Sequence, residues 1–206
     1  MTNDKWTELT LITVLAIGVV GLFLIRNYVA SCTKCASSLP GIPKLSEGMS
    51  TWEYETRKIT GKITAQINAL LAISNELQIL VQRLPPTPGA FDTQASVIQL
   101  SNTSAAITSV YTKVAAESST LLSLASVCSN LFIKLALENA GNALGNHYVR
   151  LTDADTAVMG CGQMLRDQRF KEVAGILSGV SEEILRISNE ETNLVMNVTA
   201  ILGAPA

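Results

Sequence analysis

With 206 residues and a net charge of −2, the chain has room for one domain and a tail, and it lacks the basic excess on which nucleic-acid binding draws. Hydrophobic residues make up 48% of it, enough to build a core, while four cysteines and one histidine leave few candidate nucleophiles or metal ligands.

The first segment, Thr7 to Ile25, reads TELTLITVLAIGVVGLFLI, and no charged residue falls between Leu9 and Ile25. That run sits at the lower length limit for crossing a bilayer. Thr7 and Tyr28 to Ala30 extend it, with Trp6 and Tyr28 placed as interfacial aromatics. A cleaved signal peptide is the alternative, since Val29-Ala30-Ser31 offers a cleavage-like site. Asp4 and Glu8 offset Lys5, however, and the run is long, so residues 1–30 are expected to be a retained, single-pass N-terminal transmembrane anchor. Lys5 and the α-amine before the run nearly balance Arg26 and Lys34 after it, which leaves the side of the following domain undetermined. Residues 31–50 contain Cys32, Cys35, Pro40, Gly41, Pro43 and Gly48 and are expected to form a juxtamembrane linker.

From Ser50 onward the apolar spacing is that of an α-helix. Thr56, Ile59, Ile63, Gln66, Leu70, Ile73, Leu77, Leu80 and Leu84 follow in alternating steps of three and four, which line one stripe of a helix expected over about 51–84. Gln66 is the polar intruder, a residue type that fixes register in paired helices more often than it does chemistry. Pro85, Pro86, Pro88 and Gly89 stop the helix, and Asp92 or Thr93 caps the next. Its stripe runs Leu100, Ser104, Ile107, Tyr111, Val114, Ser118, Leu121, Ala125, Cys128, Phe132 and Leu135, predicting one long helix over about 92–140. This stretch carries two basic and three acidic residues, a shortage that points to burial among other helices or neighbouring molecules. Gly141, Gly145 and the asparagines around them read as its C-terminal turn. A third helix, about 153–203, carries the stripe Phe170, Val173, Leu177, Val180, Ile184, Ile187, Glu191, Leu194, Val198 and Ile201. The expected fold is therefore all-α. A membrane anchor is followed by an up-down-up bundle of three long, coiled-coil-like helices over 51–206, with Ile63, Leu70, Leu77, Leu100, Ile107, Val114, Leu121, Phe132, Leu177, Ile184 and Leu194 in its core.

Two such reversals would bring Cys128 within about a helical turn of Cys161 along the axis, some 5 Å, near Cys32 and Cys35 at the membrane end. Three readings of the four cysteines stay open: buried thiols, disulfides with Cys128 bonded to Cys161, and a four-cysteine metal site. A single C-x-x-C argues against the last, and no metal or cofactor is expected. His147 reads as a solvated turn residue, and Asp153 and Asp155 as helix-start carboxylates. Asn102-Thr103-Ser104 and Asn197-Val198-Thr199 match the glycosylation pattern but lie inside predicted helices. Leu121 to Leu137 is apolar enough to weigh as a second membrane segment, opposed by Asn130 and Lys134. No phosphate loop, nucleophile elbow or HExxH occurs.

The resulting expectation is a non-enzymatic, membrane-anchored structural or assembly protein. It would link a bilayer to a protein shell or larger complex, a virion layer being one setting, with the bilayer and other protein subunits as partners and no nucleic acid. Alternatives of other classes are a fusion or tethering protein that pairs its helices with a partner, and a ligand-sensing bundle.

Overall fold

The computed structural model describes residues 51–85, 91–128 and 130–203. The expected anchor over 1–30 and linker over 31–50, with Cys32 and Cys35, lie outside them. Among the described residues no helix is long and apolar enough to cross a membrane. Four helices account for nearly all of the described chain: α1 (Thr51–Arg83), α2 (Thr93–Val127), α3 (Leu131–Arg166) and α4 (Phe170–Gly203). At 1.5 Å per residue each is about 50–54 Å long, so the four match in length and cover one another from end to end.

They run up-down-up-down. Each helix packs on the next, and α4 closes the ring against α1, while the diagonal pairs barely touch. The tightest neighbours are α2 with α3 and α1 with α4. The closure is antiparallel and close: Ser74 Oγ and Ser181 Oγ lie 2.8 Å apart, and each hydroxyl donates to the other residue's backbone carbonyl at 3.1 Å. Small side chains let α1 and α4 approach there. Phe91, ahead of α2, meets Phe170 at the start of α4 edge to face, 5.2 Å between centroids, and plugs the bundle end that holds Leu84, Asp92 and the 167–169 connection.

The helix boundaries correct the sequence reading in one respect that changes the topology. The long helix expected over 92–140 breaks after Val127, and the turn expected at Asn139–Asn146 is instead the middle of α3. Cys128 is extended, with ψ 122°, and Asn130 caps α3 by accepting from the amides of Phe132 (3.0 Å) and Ile133 (3.2 Å). The break also disposes of Leu121–Leu137 as a continuous spanning helix. A further reversal, the third, lies at 167–169. Gln168 is left-handed (φ 57°), its amide donates to the Leu165 carbonyl, and the Arg169 amide donates to that of Met164, a Schellman closure without glycine. The three-helix, up-down-up arrangement is thus a four-helix, up-down-up-down one.

The core is a continuous column of aliphatic residues. Ile63, Leu70, Leu77, Leu100, Ile107, Val114, Leu121, Leu177, Ile184 and Leu194 are all buried in it. Phe132, expected among them, is 48% exposed. The helical phase restarts at Asn130, so that Ile133, Leu137, Ala140, Leu144, Leu151, Val158 and Leu165 form the inward face of α3. Gly141 has a packing role: a Cβ there would stand 2.7 Å from Leu122 Cγ, and the Ser118 hydroxyl donates to its carbonyl at 2.7 Å. Glycine at this point lets α2 and α3 touch.

Candidate functional site: a buried polar layer and the surfaces around it

Between 15 and 24 Å, roughly, from the bundle end that holds Thr51, Val127, Leu131 and Gly203, the aliphatic column is interrupted. Each helix contributes one polar residue: Gln66 from α1, Glu117 from α2, His147 from α3 and Glu191 from α4. All four are at least 96% buried. Helical periodicity places them there, since Gln66 and Glu191 occupy stripe positions, and His147 follows Leu144 by three and precedes Leu151 by four on the inward face of α3.

Glu117 is fully paired, Gln66 and His147 are paired in part, and Glu191 is not. Glu117 accepts from the Gln66 amide nitrogen at 2.7 Å and faces the Lys62 ammonium at 3.4 Å, so its charge is paired. His147 lies between adjacent carboxylates of α4, with Nε2 at 2.9 Å from Glu190 and Nδ1 at 3.5 Å from Glu191. The second distance gives electrostatic contact rather than an aligned hydrogen bond. Gln66 Oε1, His147 Nδ1 and both Glu191 carboxylate oxygens have no hydrogen-bond partner among the described residues. Burial pushes the Glu191 carboxyl above the usual range, against the pull of His147 and with help from the negative Glu117.

Glu190 is fixed from the other side. Arg150 donates from Nη1 (2.5 Å) and Nη2 (3.3 Å) to its two oxygens and from Nε to Glu183 (2.6 Å), while Arg186 reaches Glu183 at 3.2 Å. Hydrogen bonding from Arg150 holds the Glu190 carboxyl below its ordinary value. The layer is therefore wired to the surface along one edge, through His147, Glu190 and Arg150. A groove of about 500 Å³ between α3 and α4 runs from His147 and Glu190 along Ala140, Ala143 and Leu194 to Ile201, where the side chains of α3 are small.

His147 is thus a buried helix residue rather than a solvated turn residue. Asp155, expected at a helix start, lies in mid-α3 and accepts from Ser104 Oγ (2.5 Å) and Thr108 Oγ1 (3.1 Å) of α2. Cys128 and Cys161 are both buried, and they stand at opposite ends of the bundle. From Leu131, beside Cys128, to Cys161 is about 45 Å along α3. The expected proximity fails because the reversal lies at 128–130 and not near 146. No group of three or more His, Cys, Asp or Glu side chains able to hold a metal ion occurs among the described residues. The missed member of the layer is Glu117, one position before Ser118 on the predicted stripe; the only available hint was a charged residue in an otherwise nearly uncharged helix.

The surface of α2 completes the description. The charged residues between Thr93 and Val127 are Lys113 and Glu117, and Glu117 is turned inward. The exposed face, some 50 Å long, therefore carries one charge amid Ser, Thr, Asn and Ala. Together these features define an up-down-up-down four-helix bundle with a polar core layer. Comparison of the chain with protein-family models, with curated proteins and with solved structures gives no match.

Proposed function

We propose that this chain is a non-enzymatic structural or assembly protein, held on a bilayer by the apolar run from Leu9 to Ile25 and linked through its bundle to neighbouring protein subunits. The observation that carries the reading is the exposed face of α2, with Lys113 as its one charge. A helix that faces water over 50 Å normally displays Glu, Lys and Arg. The cores of protein interfaces, by contrast, are depleted in charge, because burying a charge requires stripping its water. Ile98 on this helix and Met159 on α3, both more than half exposed, add apolar area toward the other bundle end. The polar layer supports the same reading, since His147 and Glu191 are almost wholly buried among the helices, where polar residues set register.

The test is the mass of the full chain in mild detergent by light scattering. The expected species is larger than a monomer. Ser109→Glu with Thr112→Glu, both on the exposed face of α2, should reduce it to a monomer while the helical circular dichroism is kept. A wild-type chain that is monomeric at all concentrations, with the double variant indistinguishable from it, would overturn the proposal.

A further inference from the structure

The α2–α3 turn stands at the bundle end where the chain enters α1, and its outer side is apolar. Val127 is 52% exposed, Leu131 64%, Phe132 48% and Leu135 46%, four large hydrophobic residues within about two helical turns of one another. Isolated exposed apolar residues are ordinary, but a contiguous set marks a contact surface. The sequence around them is stripped of charge: nothing between Ser118 and Ile133 is ionisable except the Cys128 thiol, and no charged residue follows Glu191 on α4. The first charges beyond the turn, Lys134 and Glu138, pair with each other at 3.8 Å. On α1 the first turns carry Glu53, Glu55, Arg57 and Lys58, so the apolar rim belongs to the α2–α3 corner.

The opposite end of the same bundle is built differently. Arg83, Asp92, Arg166, Asp167, Arg169, Lys171 and Glu172 are all exposed there. An end that faces water looks like that one. The apolar end is also the one closest in sequence to the uncharged run, because residues 26–50 are all that separate Ile25 from α1. Even as a flexible chain such a segment has a root-mean-square reach of only about 25–30 Å. The bundle end that holds Thr51 is thereby kept close to wherever that run resides.

We infer that the α2–α3 turn, Val127 to Leu135, is a bilayer-contacting tip that inserts its apolar side chains at the level of the lipid headgroups. This rests on the anchored reading and adds a second point of attachment to it. The tip does not span. Asn130 caps α3 within it, and Lys134 lies one helical turn beyond, positioned to reach anionic headgroups. With the anchor as one attachment and the tip as another, the bundle axis is held upright on the membrane instead of swinging on its linker.

The test places an environment-sensitive fluorophore on Leu131→Cys in the full chain with Cys32, Cys35, Cys128 and Cys161 replaced by Ser or Ala, reconstituted into vesicles of zwitterionic and anionic phospholipid. Gln168→Cys, at the far end, is the control. The expected result is a blue-shifted emission at position 131, quenched at least twofold by lipids spin-labelled near the headgroup, with position 168 unaffected. A vesicle-bound chain whose position 131 is as aqueous as position 168 overturns the tip and leaves the anchor standing. Emission that is blue-shifted but not quenched by the labelled lipid shows a second protein copy covering the turn, and also overturns it. A chain that stays out of the vesicle fraction overturns the tip and the anchored reading together.

Discussion

Glu191 is the residue whose energetics are most exposed to test. Its carboxyl is fully buried, has no hydrogen-bond partner among the described residues and is raised above the usual range by that burial. The native state therefore holds this proton more tightly than the unfolded chain does. Its contribution is complete below the ordinary carboxylate value of about 4.3 and is lost as pH rises through the raised native value. Glu190 acts in the opposite sense: Arg150 lowers its native value, so its contribution is present at neutral pH and lost as pH falls through that lowered value. Glu190 is exposed by about two-fifths, and solvent keeps its share small. Glu191→Gln should consequently flatten the decline of stability above pH 5 and stabilise the bundle at pH 8 by about 1–2 kcal/mol. Thermal melts from pH 4 to 8 check this, and parallel curves for the variant and the parent would contradict it. The Gln168 backbone offers a simpler gain. A left-handed conformation costs a side-chain-bearing residue about 1 kcal/mol, and Gln168→Gly should recover roughly that amount, read as a higher denaturant midpoint at unchanged slope. The Cys161 thiol, pushed up to about 11 by burial, should resist alkylation at pH 8 in the folded protein and react once denaturant is added.

At the scale of elements, the apolar stripes were largely legible and the turns were not. On α1 the three-and-four spacing from Thr56 to Leu80 coincides with buried residues at every step, and on α4 it does so from Phe170 to Val198. Two of their ends carry strong signals, the prolines after α1 and the chain's last glycine, Gly203, as the final residue of α4. The α2–α3 turn has no such signal. Its stripe passes from Cys128 to Phe132 by an ordinary step of four, so periodicity alone carries the helix through a place where Asn130 in fact ends one and caps the next. Gly141 and Gly145 then misdirect, because glycine serves close helix approach as well as turns. Helix length held part of the missing information: a 49-residue rod would be about 70 Å long and would overrun the first helix, at about 50 Å. The polar layer was half visible, with Gln66 and Glu191 on stripes and His147 hidden by the misplaced turn. Gly141→Val should test the close approach, since its branches would collide with Leu122 and the Ser118 carbonyl. A loss of about 1–3 kcal/mol is expected in chemical denaturation. A neutral effect would show that α2 and α3 separate there without cost.

On the scale of the whole molecule, the two described cysteines mark opposite ends of a rod. Mild oxidation should therefore leave the melting temperature unchanged with respect to a Cys128–Cys161 bond, and non-reducing peptide mapping should find none. Finding that bond would require a different fold. The closure of the ring by α1 and α4 has a consequence in time. α1 packs mainly on α4 and only lightly on α2, so its principal partner is the last of these four helices to be made. At translation rates of roughly 5–20 residues per second, the interval from Leu80 to Phe170 lasts on the order of ten seconds. During it α2 and α3 pair as a local hairpin, while Ile59, Ile63, Leu70 and Leu77 of α1 wait largely uncovered. A nascent chain interrupted before α4 would present that aliphatic stripe to whatever binds exposed hydrophobic helices, and completing α4 withdraws it.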